Sequence, residues 1–291
     1  MSISRELAFI EALRAMATHP AARALADDCA VLEIGGETLV LTHDTMVESV
    51  HFLPGQDLED VGWKLVATNV SDLAAKGAKP LAALLSYQLG GDDLAFLRGL
   101  QSALQHYGDA ALLGGDTVSA PGPKTVGLTL IGRATHVPVP SRSGARPGDG
   151  VWISGPVGAA MLGLEALQSG VGNSSAYRRP QARLGCGQEL APLVSAMMDV
   201  SDGLLLDARR MAEASGVTIA MDYAAIPIAV PEARRDEALR WGDDYQLLFT
   251  APPGAALPSG YHRIGTVQPQ GPQALLLDGT APAGKLGYEH G

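Results

Sequence analysis

Aspartate residues recur next to apolar segments at five places in this 291-residue sequence. The stretch MMDVSDGLLLDARR, Met197 to Arg210, sets Asp199 and Asp202 on either side of Ser201, where a predicted strand turns into a helix. Ser201 or Asp202 alone would be interpreted as a helix cap, and a lone aspartate in a turn is usually structural. A cap leaves Asp199 unexplained, and the pattern is repeated at Asp27–Asp28 in ADDCAVL, Asp44 in LTHDT, Asp72 in NVSDLAA and Asp116 in LLGGDT.

Such aspartates, if brought together without a counter-charge, would raise one another's pKa and oppose folding. Divalent cations remove this repulsion, and Mg²⁺ binds carboxylate oxygens while bridging protein to phosphate oxygens. Gly114 and Gly115, just before Asp116, would let the backbone approach a phosphate closely. The pattern therefore predicts a site for Mg²⁺ and a nucleoside triphosphate.

Other nucleotide-binding signatures do not occur: there is no GxxxxGK[ST], no protein-kinase motif set and no convincing GxGxxG that opens a βαβ unit. The chain has 21 Lys and Arg against 31 Asp and Glu, which gives a formal net charge of −10. This balance argues against a polyanion such as DNA bound over a broad surface. We therefore expect no nucleic-acid partner, and phosphates that are held through metal ions.

Cysteine content and hydropathy indicate the cellular compartment of the protein. Cys29 and Cys186 form no CxxC pattern, so we expect neither a zinc site nor a disulfide framework, and a reducing, cytoplasmic compartment fits best. Arg5, Glu6 and Glu11 interrupt the apolar pattern near the N-terminus, which favours a helix over a signal peptide. No apolar run reaches the roughly 18 residues of a membrane-spanning helix, so we expect no membrane partner.

The length predicts two domains, because it exceeds what one hydrophobic core usually serves. VPVPSRSGARPGDG, between two apolar strands, places the boundary near Pro138, with domains over residues 1–137 and 138–291. Strand-like and helix-like segments alternate in both halves, which predicts an α+β or mixed α/β fold with much antiparallel pairing.

The aspartates lie on or beside these predicted elements. AMMDV predicts a strand and residues 203–215 a helix, so Asp199 and Asp202 would occupy the turn between them. A hairpin over 29–44 would deliver Thr42, His43 and Asp44 at its end. A helix from Asp60 to Gly77 would carry Asp72 on the stripe next to its apolar face, and Asp92 or Asp93 would cap the following helix.

Seven stretches in unbroken order resemble the thiamine-monophosphate kinase family, within the wider aminoimidazole-ribonucleotide synthetase (PurM-like) superfamily. They are DDCAVL, THDTMVESVHF, GWKLVATNVSDLAAKGAKP, LLGGDT, SRSGARPGD, DVSDGLLLD and GDDYQLLFT. The resemblance implies transfer of the ATP γ-phosphoryl group to thiamine monophosphate, the last step of thiamine diphosphate biosynthesis. It also implies a two-domain PurM-like fold, in which N-terminal sheets pair in a homodimer to form a β-barrel and the C-terminal α/β domain closes over the site.

The resemblance further assigns roles to individual residues. The predicted ligands of several Mg²⁺ ions are Asp28, Thr42, His43, Asp44, Asp72, Asp116, Asp199 and Asp202, and among them Asp44, Asp72, Asp116 and Asp199 are the predicted catalytic residues. Gly115, Asp116, Arg142 and Ser201 fall on ATP positions. His51 and Asp243 fall on thiamine-phosphate positions.

The sequence departs from the family pattern at four positions. Ala26 stands where glycine is usual, His43 replaces a small hydroxyl residue, and GDDYQ at 242–246 replaces GEDYE. Lys285 stands where some members have an aromatic residue that stacks on the thiamine ring. The alternatives are another enzyme of the superfamily, such as aminoimidazole-ribonucleotide synthetase or a hydrogenase-maturation dehydratase, or an inactive dimer that binds metal and nucleotide.

Overall fold

The computed structural model describes residues 5–289, which form two β-sheets with helices packed on them. The first part of the chain contains α1 (Arg5–Arg14), β1 (Ala30–Ile34), β2 (Glu37–Val47), α2 (Leu58–Ala75), β3 (Ala78–Gln88), α3 (Asp93–His106), β4 (Ala111–Val118) and β5 (Thr125–Ala134). Its sheet has the order β1-β2-β5-β3-β4 and is antiparallel except for the parallel pair β3 and β4. β4 is therefore an edge strand, and all eight of its residues are exposed.

The second part of the chain forms a six-stranded sheet in the order β11-β8-β10-β6-β9-β7. Only β11 and β8 are parallel neighbours in it. The elements are β6 (Gly150–Ile153), α4 (Ala159–Ser169), α5 (Ser175–Arg178), α6 (Leu184–Leu190), β7 (Ala196–Val200), α7 (Leu204–Ser215), β8 (Thr218–Met221), α8 (Arg235–Arg240), β9 (Gln246–Ala251), β10 (His262–Gln268) and β11 (Leu275–Leu277). The expected two-domain mixed α/β fold is confirmed.

Helix α2 lies between the two sheets. It packs on α3 and on the first sheet, and it also contacts α6, β7 and β9 of the second part. Close approach depends on glycine: a Cβ on Gly62 would lie 2.3 Å from the Phe96 carbonyl oxygen, and one on Gly187 would lie 1.9 Å from the Ala74 carbonyl oxygen. Nearly every residue of α2 is consequently buried, including Lys64 and Ser71.

Local signals set most element ends. The Asp92 side chain accepts a hydrogen bond from the Ala95 amide, so the predicted cap of α3 is confirmed. Helix α2 begins at Leu58, two residues before the predicted start, because the Asp57 side chain caps it through the Glu59 amide. The helix expected near the N-terminus is α1, which the structure describes from Arg5.

One prediction about β2 is wrong. Thr42, His43 and Asp44 do not end the strand, because β2 continues to Val47 and pairs with β5 as far as Thr125. The three residues therefore sit within a paired strand, which holds their backbone more rigidly than a strand end would. Pro138 lies between β5 and β6, and the domain boundary near it stays a prediction. In residues 5–289, none of the helices is both long and apolar enough to cross a membrane.

Candidate functional site

A cavity of about 820 Å³ opens where the two parts of the chain meet. Residues from β2, α2, the β7–α7 turn and the loop before β9 line it. Eight of the lining residues are predicted site residues: His43, Asp44, His51, Asp72, Asp199, Ser201, Asp202 and Asp243. Most of the predicted site residues thus meet in one pocket, although they come from both halves of the sequence.

The β7–α7 turn presents Asp199, Ser201 and Asp202. All five residues of β7 are buried, and Asp199 is only 2% exposed. Gly203 has φ 119°, and a Cβ there would lie 2.8 Å from the Arg240 carbonyl oxygen, so only glycine fits between this turn and α8. The interpretation of Ser201 or Asp202 as a helix cap is wrong: Gly203 is the N-cap residue, and no side chain caps it.

A further carboxylate, Asp207 on α7, stabilises the β7–α7 turn. Its Oδ2 accepts a hydrogen bond from the Asp202 amide at 3.1 Å, and its Oδ1 pairs with Arg210. Burial, together with the charge of Asp202, raises the pKa of Asp207 to about 7. The motif around Asp199 and Asp202 predicted no function for Asp207, and the three leucines before it are the sequence signal of its burial.

Three aspartates converge most closely. One carboxylate oxygen from each of Asp28, Asp72 and Asp199 lies within 4.8 Å of the other two. These residues precede β1, lie in α2 and end β7, respectively, so the packing of α2 between the sheets creates the cluster. Asp28 Oδ2 is buried, and Lys76 Nζ lies 2.6 Å from it.

Three of the acids that face the cavity lack positive partners. Within residues 5–289, neither Asp44, Asp72 nor Asp199 forms an ion pair with a lysine or arginine. Burial raises the pKa of Asp44, and it raises that of Asp72 well above the usual value, with Asp44 and Asp199 adding repulsion. The pKa of Asp199 rises to about 8, chiefly through burial and then through the charge of Asp28.

Other acids have cationic partners. Arg23 Nη1 lies 2.5 Å from Asp27 Oδ2, and Arg142 contacts Asp28 Oδ1 at 2.6 Å through both Nε and Nη2. Arg210 pairs with Asp202 at 2.5 Å. Of these paired acids, Asp202 lines the cavity, whereas Asp27 and Asp28 do not.

Two hydroxyl groups orient the uncompensated acids. The Thr42 hydroxyl donates to Asp72 Oδ2, and the Ser71 hydroxyl donates to Asp199 Oδ2 at 2.7 Å. Thr42 thus contacts a neighbouring carboxylate in this structure. Ser71 was missed in the sequence analysis, although it immediately precedes Asp72 in NVSDLAA.

The Asp243 end of the cavity lies beside the β7–α7 turn, because the Asp243 amide donates to the Ser201 carbonyl oxygen at 2.8 Å. Lys64, His51 and Tyr177 also line this end. Asp243 has φ 66° and accepts a hydrogen bond from the Tyr245 hydroxyl at 2.8 Å. His51 Nδ1 accepts a hydrogen bond from the Val47 amide, and its carbonyl oxygen accepts from Lys64 Nζ. This end therefore offers a carboxylate, an imidazole and aromatic faces in one place.

Aromatic side chains also stand at the mouth of the cavity. Trp241 is 36% exposed and lines it together with Tyr288 and Lys285. The Lys285 ammonium lies 5.5 Å from the centroid of the Tyr288 ring. Two aromatic side chains, Trp241 and Tyr288, therefore line the cavity together with Lys285.

Five predicted site residues do not line the cavity: Asp28, Thr42, Gly115, Asp116 and Arg142. Asp28 and Thr42 still contact the site, Asp28 as a member of the close trio and Thr42 through Asp72. Arg142 lies behind Asp28, and Gly115 and Asp116 lie on the exposed strand β4. Paired residues run across the sheet from Thr45 through Gly127 and Ser86 to Asp116, which at ~4.8 Å per strand puts Asp116 roughly 14 Å from Thr45. Within a single chain, Asp116 is therefore separate from the cluster of Asp28, Asp72 and Asp199.

The donor set suits a hard divalent cation. Carboxylate oxygens with a nearby hydroxyl match the ligands that Mg²⁺ prefers, while no described cysteine or histidine belongs to the close trio. The raised pKa values of Asp72 and Asp199 reflect burial and the mutual repulsion of negative charges, which such an ion would compensate.

Comparison with family models first defines the class of protein to which this chain belongs. The family models described as AIR synthase related protein, N-terminal domain and C-terminal domain match residues 26–134 and 146–271. The two-sheet fold and the acidic cavity between its halves are therefore those of an AIR synthase related protein.

Relatives narrow the class to one family. The chain is 36% identical to the thiamine-monophosphate kinase of Escherichia coli (strain K12), with 78% of this chain and 76% of that protein covered. It is 35% identical to that of Caulobacter vibrioides, with 94% and 86% covered. A solved structure of AaThiL complexed with AMPPCP and TMP superposes with a TM-score of 0.86 at 29% identity and covers 99% of both chains. The chain belongs to the thiamine-monophosphate kinase family.

Proposed function

We propose that this protein transfers the γ-phosphoryl group of ATP to thiamine monophosphate, which yields thiamine diphosphate and ADP. The observation that carries the proposal is the cavity whose one wall holds Asp44, Asp72 and Asp199 without cationic partners. A phosphate oxygen of thiamine monophosphate attacks the γ-phosphorus, and the bond from that phosphorus to the β,γ-bridging oxygen breaks as ADP leaves. Such transfer passes through a loose transition state, so catalysis consists of alignment and charge neutralisation.

Asp28, Asp44, Asp72, Asp199 and Asp202 are the proposed ligands of several Mg²⁺ ions, with Thr42 and His43 as their neighbours on β2. Bound Mg²⁺ supplies the positive charge that offsets the triphosphate and the charge developing in transfer. Thr42 and Ser71 fix the carboxylates of Asp72 and Asp199 before any ligand arrives. A preorganised donor set costs little rearrangement when charge develops.

His51 and Asp243 are the proposed contacts for thiamine monophosphate at the Asp243 end of the cavity. The thiazolium ring is cationic, so the Asp243 carboxylate and the faces of Trp241 and Tyr288 provide a complementary environment. Bringing the two substrates together in one closed cavity reduces the entropic part of the barrier.

Gly115, Asp116, Arg142 and Ser201 are the proposed ATP contacts. Ser201 lines the cavity, whereas Gly115 and Asp116 lie on β4, which is exposed along its whole length. We further propose that β4 is covered in a homodimer whose N-terminal sheets form a barrel. Leu112, Leu113 and Val118 support this, since a soluble monomer rarely exposes three large apolar side chains on one edge strand.

The direct test is to incubate the protein with ATP, Mg²⁺ and thiamine monophosphate and to detect thiamine diphosphate by chromatography. We expect product with the wild type and with Asp222→Asn, an exposed aspartate away from the cavity. Asp44→Asn, Asp72→Asn and Asp116→Asn are expected to abolish it while the oligomeric state is unchanged. Undiminished product formation by these variants would refute the metal assignment.

The same incubation can also identify the two alternative functions. ATP hydrolysis that requires formylglycinamidine ribonucleotide, without any thiamine diphosphate, would identify a different superfamily enzyme. Metal and nucleotide binding without either reaction would identify an inactive dimer. The cytoplasmic location stays a prediction that rests on the two unpaired cysteines.

A further inference from the structure

Lys76 is a buried cation that the proposed chemistry does not use. It follows α2 directly, and its side chain has no exposed surface. Its Nζ lies 2.5 Å from Asp27 Oδ1 and 2.6 Å from Asp28 Oδ2, and it donates a hydrogen bond to the Met197 carbonyl oxygen at 3.1 Å. The ammonium thus touches both acids of the Asp27–Asp28 pair and the strand that carries Asp199.

The surroundings keep this lysine charged. Burial alone would lower the pKa of Lys76, but the carboxylates of Asp28 and Asp27 raise it above its usual value. Conversely, burial would raise the pKa of Asp27, yet Lys76 and Arg23 hold it well below the usual range. Removing the lysine would leave the two neighbouring carboxylates without one of their buried counter-charges.

Asp28 connects this ion pair to the proposed metal site. Its Oδ2 faces Lys76, and one of its oxygens belongs to the close trio with Asp72 and Asp199. Adjacent carboxylates repel one another, and a divalent ion bound between two of them would remove that repulsion. Here an ammonium group already lies in contact with both.

We propose that Lys76 is a built-in cation of the site: its ammonium takes the position between Asp27 and Asp28 that one divalent ion would otherwise occupy. The pocket then recruits one ion fewer, and its metal binding is concentrated on the Asp28, Asp72 and Asp199 trio. Lys76 touches no substrate in this arrangement and acts as a positioning residue. The inference rests on the proposed metal site but does not require that the substrate is thiamine monophosphate.

The test compares Mg²⁺ binding to wild type and Lys76→Met by isothermal titration calorimetry, with no nucleotide present. We expect the variant to bind one more Mg²⁺ per chain. We also expect Mg²⁺ to raise its melting temperature at least twice as much as it raises that of the wild type, because the ion replaces the lost ammonium. Equal stoichiometry and equal melting shifts in the two proteins would overturn the proposal.

Lys64→Met is the matched control. Lys64 is the other lysine with an almost fully buried side chain, 1% exposed, but its partner is Asp243. This variant is expected to lose stability by the same amount with and without Mg²⁺, and to keep the wild-type number of ions. An added ion in Lys64→Met would show that the effect follows from losing any buried lysine, which would contradict the proposal.

A double variant keeps the proposal testable if Lys76→Met alone does not fold. Lys76→Met combined with Asp27→Asn removes one charge of each sign, and it is expected to return to the wild-type number of Mg²⁺ ions. An extra ion in the double variant would contradict the proposal, and so would a Lys76→Met protein that stays unfolded at saturating Mg²⁺. Both readouts are independent of kinase activity, so they remain informative if the proposed substrate is wrong.

Discussion

Lys64 Nζ lies 2.8 Å from Asp243 Oδ2, which joins α2 of the first part of the chain to the loop before β9 of the second. The two residues are 179 positions apart. Lys64 also lies over the Tyr177 ring at 4.0 Å and donates to the His51 carbonyl oxygen, so a single buried cation holds one end of the cavity together.

Asp243→Asn is expected to destabilise the protein, because it leaves the buried Lys64 ammonium without its carboxylate. A double-mutant cycle with Lys64→Met, measured by urea unfolding, should give a coupling energy of about 0.5–3 kcal/mol. Asparagine tolerates the positive φ of Asp243, so backbone strain does not confound the result. Additive effects of the two substitutions would show that the contact contributes nothing.

The stability of the metal-free protein is expected to fall as the pH rises. The pKa of Asp199 is about 8 in the folded protein against an ordinary value of 3.8, so between these pH values the folded chain retains a proton that the unfolded chain has lost. Stability is therefore highest toward the acidic end of this window and decreases until the pH passes about 8. Thermal unfolding across this pH range, with metal chelated, measures the slope.

Asp199→Asn should make that slope shallower, while Asp222→Asn at an exposed position should leave it unchanged. Asp72 and Asp44 also have raised pKa values, so part of the slope should remain in Asp199→Asn. Protons and Mg²⁺ compete for the same oxygens, so added Mg²⁺ should stabilise the wild type more as the pH approaches about 8. A wild-type stability that rises with pH in this window would contradict the assignment.

Ser71→Ala is expected to weaken Mg²⁺ binding by about tenfold, because the Asp199 carboxylate loses the hydroxyl that orients it. Thr250→Val is the control: its hydroxyl is equally buried but has no hydrogen-bond partner among the described residues. The control should keep its Mg²⁺ affinity and gain stability, since an unsatisfied buried hydroxyl is removed. Titration calorimetry on both variants decides, and equal affinities would argue against a role for Ser71.

Gly187→Ala tests the packing of α6 on α2. The new Cβ would lie 1.9 Å from the Ala74 carbonyl oxygen, so the two parts of the chain must separate slightly, at a cost of about 1–3 kcal/mol. Gly185→Ala, in the same short helix, meets no described atom within 4 Å and should stabilise by about 0.5 kcal/mol. Chemical denaturation of the pair measures the difference, and two similar results would rule out a tight contact at Gly187.

Local chemistry made several features predictable. Asp92 caps α3 because its side chain reaches an amide three residues away. The segment AMMDV forms β7, as its four apolar residues predict. The prediction that Asp44 ends a strand was wrong, since the length of β2 is set by its pairing with β5, where Val47 pairs with Thr125. No local pattern reports such a partner.

The sequence by itself determined the kinds of residue in the site, their order along the chain and the family to which they belong, because motifs and caps act over a few residues. Only the tertiary structure decided which acids are neutralised. Asp28 receives Arg142 and Lys76, whereas Asp72 and Asp199 receive only hydroxyl groups. The reason is physical: the charge state of a buried carboxylate depends on whatever lies within a few ångströms, and the packing of α2 between two sheets selects those neighbours from distant parts of the sequence.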